Sequence, residues 1–193
     1  MPHNRNAPQP RLIIISAPSG AGKTTLCDLL LNDFSSIQQS ISTTTRIQRP
    51  HEVNGKHYYF IGAQEFEDKK KSGDFAEWAE VHGNLYGTSK STVDSLLAAG
   101  KHVLFAIDVQ GALSLKALYP ERALLIFIHP PSMEELQNRL IQRKGDSPEA
   151  IEKRLKNAYT EVAWSQKFDY QIINDNLQTA YQQLKTIIQS ECR

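Results

Sequence analysis

Apolar residues in this chain recur in short runs, and the stretches between those runs have the spacing of amphipathic helices. The runs at 12–15, 103–107 and 123–128 have the length and composition of buried parallel strands. A last strand is predicted at 170–173, followed by a helix at 177–190. Strands that alternate with helices predict an α/β protein with a parallel sheet covered on both faces.

Capping and stop residues define most of the other helices. A helix at about 91–99 ends at Gly100, and another ends at Leu118, before a proline. Ser132 begins a capping box for a helix that reaches about Arg143. A serine and a proline at 147–148 begin a further helix, which runs to about residue 165.

The segment 42–86 differs from the rest because it is polar and rich in Thr, Arg, Gly and Tyr. It follows a short strand predicted at 37–41. Within it we predict strands at 57–61 and 75–79, with a short helix at 63–71 between them. This segment is therefore expected to be a small mixed α+β insertion.

A glycine-rich stretch at 16–25 lies between the first strand and a helix that contains residues 26–31. Glycines let successive backbone N–H groups turn inward around phosphate, and the start of the helix adds partial positive charge. Lys23 would reach the β- and γ-phosphates of a nucleotide, and the Thr24 hydroxyl would ligate Mg²⁺. The expected ATP-binding residues here are Ala17, Pro18, Ser19, Gly20, Ala21, Gly22, Lys23, Thr24 and Thr25.

The P-loop pattern has glycine at its first position, where this chain has Ala17. The alternative interpretation is an ordinary strand-to-helix turn that carries a lysine. The flanking strand and helix favour the nucleotide triphosphate site.

Composition restricts the partners of this chain. Its 193 residues predict one domain with a loose tail at 1–10, and 22 basic against 21 acidic residues give no bias towards nucleic acid or membrane. Apolar residues make up 40%, and no apolar run approaches the length of a membrane span. Cys27 and Cys192 are far apart in sequence, which fits a reducing cytoplasm better than a disulfide scaffold. We expect a cytoplasmic protein without nucleic-acid or membrane partners.

A second set of residues that suits phosphate lies at the start of the insertion. Arg46 and Arg49 can each form bidentate hydrogen bonds with a phosphate, and the Tyr58 hydroxyl can add another. By itself this segment is equally consistent with two solvated arginines on a polar loop.

The motifs together resemble guanylate kinases, from about Arg11 to the C-terminus. That family carries Ser-x-x-Thr-Arg-x-x-Arg-x-x-Glu-x-x-Gly-x-x-Tyr, and this chain fills its fixed positions with Ser42, Thr45, Arg46, Arg49, Glu52, Gly55 and Tyr58. The further matches are Glu77-Trp78-Ala79, Gly83-Asn84-Leu85-Tyr86-Gly87-Thr88, Asp108-Val109-Gln110-Gly111, Arg139-Leu140, Arg143, Arg154-Leu155 and Ile173-Asn174-Asp175.

The resemblance implies a P-loop nucleoside monophosphate kinase fold, with a central five-stranded parallel sheet flanked by helices. It divides 11–193 into a core (11–41, 89–138 and 166–193), a GMP-binding subdomain (42–88) and a helical lid (139–165). It also implies transfer of the ATP γ-phosphate to GMP, in purine nucleotide metabolism and GMP recycling. The substrates would be ATP, with Mg²⁺, and GMP, with dGMP left open as a second acceptor. The protein would be a monomer or a homodimer.

Roles for individual residues follow from the resemblance. Catalysis would fall to Lys23, Arg46, Arg139, Arg143 and Arg154, and Asn174 would contact the adenine of ATP. The GMP-binding residues would be Ser42, Arg46, Arg49, Glu52, Tyr58, Glu77, Tyr86, Thr88 and Asp108. Within this set Glu52 is expected to orient the arginines. Solvated helix faces remain the alternative for the lid arginines, Arg139 in particular.

The chemistry of Glu77 supports guanine recognition independently. Guanine presents N1–H and an exocyclic amine side by side, and one carboxylate can accept both. Adenine has an acceptor at N1, so the same carboxylate would leave polar groups unpaired. The alternative is an ordinary charged residue on a surface strand.

Two other functions use the same fold. One is a scaffolding domain that binds phosphorylated peptides, and the other is a kinase for a phosphorylated sugar. The intact P-loop lysine and lid arginines argue against the first, and the phosphate clamp with Glu77 argues against the second. Two positions depart from the family, namely Lys144 in the lid turn and Ala106 where a second acidic residue is usual.

Overall fold

The structure is a computed structural model that describes residues 9–81, 83–142 and 147–192. The strands are β1 (Leu12–Ser16), β2 (Ile37–Gln39), β3 (Thr43–Thr44), β4 (Tyr59–Phe60), β5 (Phe75–Val81), β6 (Asn84–Ser89), β7 (His102–Ala106), β8 (Ala123–His129) and β9 (Tyr170–Ile173). The helices are α1 (Lys23–Asp33), α2 (Ala63–Lys71), α3 (Lys90–Ala98), α4 (Val109–Leu118), α5 (Met133–Gln142), α6 (Pro148–Trp164) and α7 (Leu177–Glu191).

The main sheet contains five strands in the order β2-β7-β1-β8-β9, and the pairs in it are parallel. Its middle strand, β1, is fully buried, and residues 12–15 have no exposed surface. A strand covered on both faces has to be apolar throughout, which explains the continuous run Leu-Ile-Ile-Ile. The predicted five-stranded parallel sheet is confirmed.

Alternate side chains of the strands enter two separate cores. Ile13 and Ile15 pack with α1 and α7 on one face, while Leu12 and Ile14 pack with α3 and α4 on the other. This alternation is the two-residue period of an extended chain. The P-loop joins β1 to α1 and thereby lies at the carboxyl edge of the sheet, where α/β proteins of this kind bind ligands.

The insertion forms a second sheet of four strands in the order β4-β3-β6-β5, with α2 packed on β5. Helix α2 has the bounds that the sequence predicted. The prediction of a strand over 57–61 was wrong in extent, because only Tyr59–Phe60 pairs, with β3. A turn in which the Gly55 amide donates to the Tyr58 carbonyl (2.8 Å) takes up the preceding residues.

Strands β3 and β6 were not predicted. They are polar and contain little apolar periodicity, and β6 includes Gly87, which lies against the Phe75 ring. They pair because β6 runs antiparallel to both β3 and β5. Here the pairing partners, and not the local sequence, determine the strand.

Several strands and helices begin or end a few residues away from the predicted positions. Strand β2 ends at Gln39 instead of residue 41, and β7 ends at Ala106 because Asp108 caps the next helix. Helix α1 begins earlier than predicted, at Lys23, and α6 is followed by a short 3₁₀ turn at Ser165–Lys167. The predicted end of α5 at Arg143 lies outside the described residues.

Helices α5 and α6 pack on each other through Leu136, Leu140 and Ala158. The same leucines also contact the P-loop, since a Cβ added at Gly20 would lie 3.0 Å from Leu136 Cδ1 and 3.4 Å from Leu140 Cδ2. Leu140, in the segment predicted as a lid, therefore lies against the phosphate loop, as does Leu136 in the segment assigned to the core. The division of the lid from the core stays a prediction.

Phe66 holds α2 on the insertion, so its truncation should weaken this part of the fold. Its side chain has no exposed surface, and its ring centroid lies 4.6 Å from that of Phe75. We expect Phe66→Ala to lower the free energy of unfolding by about 3 kcal/mol, measured by urea denaturation, because it leaves a cavity. Phe66→Leu keeps most of the apolar volume and should cost about 1 kcal/mol. Equal costs for both variants would show that the ring is not packed in this way.

Candidate active site

The P-loop adopts a conformation that requires glycine. Gly20 and Gly22 have φ angles of 99° and 93°, in the left-handed region that other residues rarely adopt. Helix α1 begins directly after Gly22, and no side chain caps its first turn. The first amides of α1 are therefore available to an anionic ligand.

Asn174, which follows β9, braces this loop from behind. Its side-chain Nδ2 donates to the Ala21 carbonyl over 2.8 Å, and the side chain is almost fully buried. A Cβ at Gly22 would collide with the same Nδ2, so Gly22 is required by packing as well as by its φ angle. The structure thus gives Asn174 a contact with the loop, while its contact with adenine stays a prediction.

Lys23 extends from the loop into the crevice at the edge of the sheet. Its Nζ donates to the Ile107 carbonyl over 3.1 Å. Burial lowers the pKa of Lys23, while the nearby Cys27, Glu161 and Asp108 act in the opposite direction. Thr24 and Thr25 are exposed in the first turn of the helix, and Thr24 faces the cleft described below.

The predicted lid arginines take different positions. Arg154 on α6 donates from Nη1 to the Ser19 hydroxyl of the P-loop over 2.9 Å. Arg139 on α5 instead forms an ion pair with Glu135 (3.0 Å) and donates to the Asn174 carbonyl over 3.3 Å. Arg143 lies outside the described residues. Of these arginines, Arg154 is the one that the structure places on the P-loop.

The phosphate clamp of the insertion is organised around a buried carboxylate. Glu52 Oε1 accepts from Arg46 Nη2 over 2.6 Å, and its Oε2 accepts from the Arg49 amide over 2.8 Å. Burial raises the pKa of Glu52, but the bonds from Arg46 and Arg49 outweigh it, and the net shift is downward. The guanidinium of Arg46 also lies 5.4 Å from the Tyr58 ring centroid. Glu52 thus holds the guanidinium of Arg46 but only the backbone of Arg49, and its role in orienting the arginines towards a ligand stays a prediction.

Two tyrosines stand beside this clamp. The rings of Tyr58 and Tyr86 meet edge to face, with centroids 5.9 Å apart. Burial raises the pKa of Tyr58, so its hydroxyl stays protonated and can donate to an anion. Arg49 has an exposed side chain, which leaves its guanidinium accessible from the cleft.

Glu77 lies on β5 with only 5% of its surface exposed. Its Oε1 accepts from the Thr88 hydroxyl over 2.6 Å, and the two residues are register partners in the β5–β6 pair. Burial raises the pKa of Glu77 to about 7; the bond from Thr88 opposes this shift, and the charge of Asp108 adds to it. A Cβ at Gly111 would lie 2.6 Å from the other oxygen, Oε2, so a larger residue there would displace this carboxylate.

An inner cavity of about 190 Å³ lies between the P-loop and the insertion. Its lining residues are Ala17, Ser19, Lys23, Ser42, Tyr58, Glu77, Val81, Tyr86, Ala106, Ile107, Asp108 and Glu161. It adjoins an outer cleft of about 880 Å³, whose lining includes Lys23, Thr24, Arg46, Arg49, Glu52, Tyr58 and Arg154. The structure therefore brings the P-loop lysine, the phosphate clamp and Glu77 around one connected space.

Some predicted site residues do not line this space. Thr88 is fully buried behind Glu77, and Asn174 lies behind the P-loop. Conversely, Glu161 on α6 reaches the inner cavity and was not predicted. Its only sequence signal is that it lies seven residues after Arg154, which places both on the same face of a helix.

A family model described as guanylate kinase matches residues 9–191. The chain belongs to the guanylate kinase family. The guanylate kinase of Protochlamydia amoebophila is 51% identical over 180 residues, covering 93% of this chain and 90% of that protein. The guanylate kinase of Clostridium tetani is 48% identical over 183 residues, covering 94% of this chain and 87% of that protein.

The comparison with solved structures supports the assignment of this chain to the guanylate kinase family. A crystal structure of guanylate kinase from Anaplasma phagocytophilum superposes with a TM-score of 0.78 at 31% identity, covering 96% of this chain and 88% of that one. Shikimate kinase from Bacteroides thetaiotaomicron gives a TM-score of 0.51 at 12% identity, covering 93% of this chain and 98% of that one. At that identity the second match shows a shared fold alone.

The raised pKa of Glu77 predicts a pH-dependent stability for this guanylate kinase family member. The carboxyl is protonated in both states well below its ordinary pKa of 4.5. As pH rises towards 7 the unfolded chain loses this proton first, so the folded state is progressively destabilised, by at most about 3 kcal/mol. Glu77→Gln cannot ionise. We therefore expect it to be more stable than the wild type at pH 8 and to lose most of that advantage at pH 5.

Urea denaturation at the two pH values measures this difference. Glu80→Gln, on the exposed face of the same strand, should track the wild type at both. A Glu77→Gln advantage of the same size at pH 5 and pH 8 would contradict the raised pKa.

Proposed function

We propose that this protein transfers the γ-phosphate of ATP to GMP and releases ADP and GDP. The observation that carries this proposal is the position of Glu77, a nearly buried carboxylate in the same cavity as the P-loop Lys23. One end of the cavity suits a guanine edge and the other suits a phosphate chain. The family and its sequence relatives support the same reaction.

In this proposal the insertion binds GMP. Glu77 accepts from the guanine N1–H and exocyclic amine, and Ser42 adds a hydroxyl contact. Thr88, which the resemblance assigned to the base, instead donates its hydroxyl to Glu77 and holds that carboxylate in place. Asp108 lies beside the base. Arg46, Arg49, Tyr58 and Tyr86 hold the GMP phosphate, and Glu52 keeps Arg46 in place. Whether dGMP is also an acceptor depends on contacts with the ribose.

The donor occupies the P-loop. Backbone N–H groups at the start of α1 and in the loop before it surround the β- and γ-phosphates, Lys23 follows the γ-phosphate, and Arg154 approaches from α6. A GMP phosphate oxygen then attacks the γ-phosphate in line. This nucleophile is already anionic, so the protein needs no general base, and catalysis consists of positioning and charge neutralisation.

Mg²⁺ is expected to arrive with ATP. The residues fit this role, because Thr24 presents a hydroxyl to the cleft and Mg²⁺ commonly takes few protein ligands besides phosphates and water. Within the described ranges, no group of three His, Cys, Asp or Glu side chains is arranged to hold a metal by itself. When bound, the ion neutralises charge on the donor phosphates.

The proposed setting is the cytoplasm, where nucleotides are the free substrates. Both cysteines are free thiols, and Cys27 is buried. Among the helices that the structure describes, none has the length and apolarity needed to cross a membrane. Assembly as a monomer or a homodimer stays a prediction.

An acceptor panel tests the function directly. Purified protein with ATP and Mg²⁺ is given GMP, AMP, UMP or CMP in turn, and ADP release is followed by a coupled assay. We expect rapid turnover with GMP alone, and identification of GDP as the second product. Equal rates with AMP, or ADP release that needs no acceptor, would contradict the proposal.

Removal of the Lys23 ammonium tests the phosphate loop. Lys23→Ala should reduce kcat by at least ~10²-fold, because the charge that stabilises the transferring phosphoryl group is lost. Lys71→Ala, at the exposed end of α2, serves as the control for a lost surface charge. Near-normal turnover of purified Lys23→Ala would remove Lys23 from the mechanism.

Glu77→Gln tests the guanine contact. The amide presents a donor where guanine also presents donors, so kcat/KM for GMP should fall by about tenfold or more. The preference for GMP over AMP should narrow at the same time, and Glu80→Gln should leave both quantities unchanged. If Glu77→Gln keeps the full preference, the role of Glu77 is structural.

A further inference from the structure

The inner cavity contains three carboxylates, and two of them have hydrogen-bond donors within the protein. Glu77 accepts from Thr88, and Asp108 Oδ1 accepts from the amides of Gln110 and Gly111 (2.8 and 3.3 Å). Glu161 is half-buried, and no hydrogen bond reaches its carboxylate from the residues that the structure describes. Its acceptor oxygens are therefore available to a ligand in the cavity.

Helix α6 aims Glu161 at the cavity. Arg154, Ala158 and Glu161 follow one another at helical spacing on one face of α6. Arg154 bonds to Ser19 of the P-loop, and Ala158 is buried against α5. These two contacts fix the face of the helix, and Glu161 is the residue of α6 that lines the inner cavity.

The residues that line the inner cavity show where Glu161 lies. It shares this lining with Lys23 of the P-loop, with Glu77 and with Tyr58 of the phosphate clamp. Burial raises the pKa of Glu161 to about 7; Lys23 opposes this shift, and Asp108 adds to it. In the proposed complex the sugar of GMP joins the base at Glu77 to the phosphate at the clamp, and it therefore lies in this cavity.

We propose that the Glu161 carboxylate accepts a hydrogen bond from a ribose hydroxyl of the acceptor nucleotide and thereby favours ribonucleotides over deoxyribonucleotides. The inference rests on the proposed function. A carboxylate repels the phosphate, and the guanine edge faces Glu77. The 2′- and 3′-hydroxyls are then the neutral donors that remain in this part of the nucleotide. Carboxylates bind ribose hydroxyls in the same way in dinucleotide sites.

The test compares acceptors that lack one hydroxyl. The values of kcat/KM are measured for GMP, 2′-deoxy-GMP and 3′-deoxy-GMP with the wild type, Glu161→Ala, Glu161→Gln and the control Glu152→Ala. Glu152 is an exposed residue of the same helix. The wild type should prefer GMP by about tenfold over the analogue that lacks the bonded hydroxyl, since a hydrogen bond to a charged group is lost.

In Glu161→Ala this preference should fall to within about twofold, because GMP loses the bond and the analogue has none to lose. Glu161→Gln keeps an acceptor oxygen without the charge. Its preference for GMP over the analogue should therefore lie between those of the wild type and Glu161→Ala. Glu152→Ala should retain the full wild-type preference. The analogue that shows the effect identifies which hydroxyl is bonded.

Other results would overturn the proposal. If Glu161→Ala lowers kcat for all three acceptors equally, Glu161 acts through Lys23 and not on the sugar. If the wild type shows no preference for GMP over either analogue, no ribose hydroxyl forms a hydrogen bond that contributes to acceptor selection. Kd values measured by calorimetry for the same three nucleotides give the preference for GMP over each analogue without any phosphoryl transfer. Loss of phosphoryl transfer to every guanine nucleotide would instead refute the proposed function, and the two failures are thus distinguishable.

Discussion

The site depends on the close contact between the P-loop and Asn174. The loop has to expose its amides to a ligand, so it cannot satisfy all of its own polar groups, and the Asn174 amide holds one of its carbonyls from behind. Because Gly22 has no Cβ, this amide can approach closely. Since β9 ends one residue earlier, beside β8 in the sheet, the shape of the phosphate loop is tied to the edge of the sheet. The helix dipole and Lys23 then act on a backbone that is already in place.

The fold beneath this loop also occurs in a protein of low sequence identity. Shikimate kinase superposes on this chain at 12% identity, a likeness that shows the fold alone. In the proposed function, the acceptor is selected by the insertion, which combines a charged pair, Arg46 with Glu52, and a nearly buried Glu77. Burying Glu77 destabilises the ionised free protein, but it also presents a carboxylate acceptor to a ligand in the inner cavity. The burial of Glu77 thus lowers the stability of the folded protein, while in the proposed function it favours the binding of guanine.

The sequence predicts the features of the fold and site that are caused by residues adjacent in the chain, and it does not predict those caused by distant contacts. The P-loop could be predicted because Lys23 and its glycines lie on adjacent residues between a strand and a helix. Strands β3 and β6 could not, because their polar residues become strands only by pairing with each other. The contact of Asn174 with Ala21 spans 153 positions, and nothing near either residue indicates it. Glu161 resembles any charged residue on a helix until α6 is docked on the P-loop.

The central claim is that one connected space holds the two nucleotides with their phosphates meeting at Lys23. A crystal structure with a bisubstrate analogue, in which adenosine and guanosine are joined by a polyphosphate chain, tests it most directly. The account predicts the guanine edge within hydrogen-bond distance of Glu77, the linking phosphates between the P-loop and the two tyrosines, Tyr58 and Tyr86, and the adenosine outside the inner cavity. A structure with the adenine against Glu77, or with the phosphates away from Lys23, would contradict it.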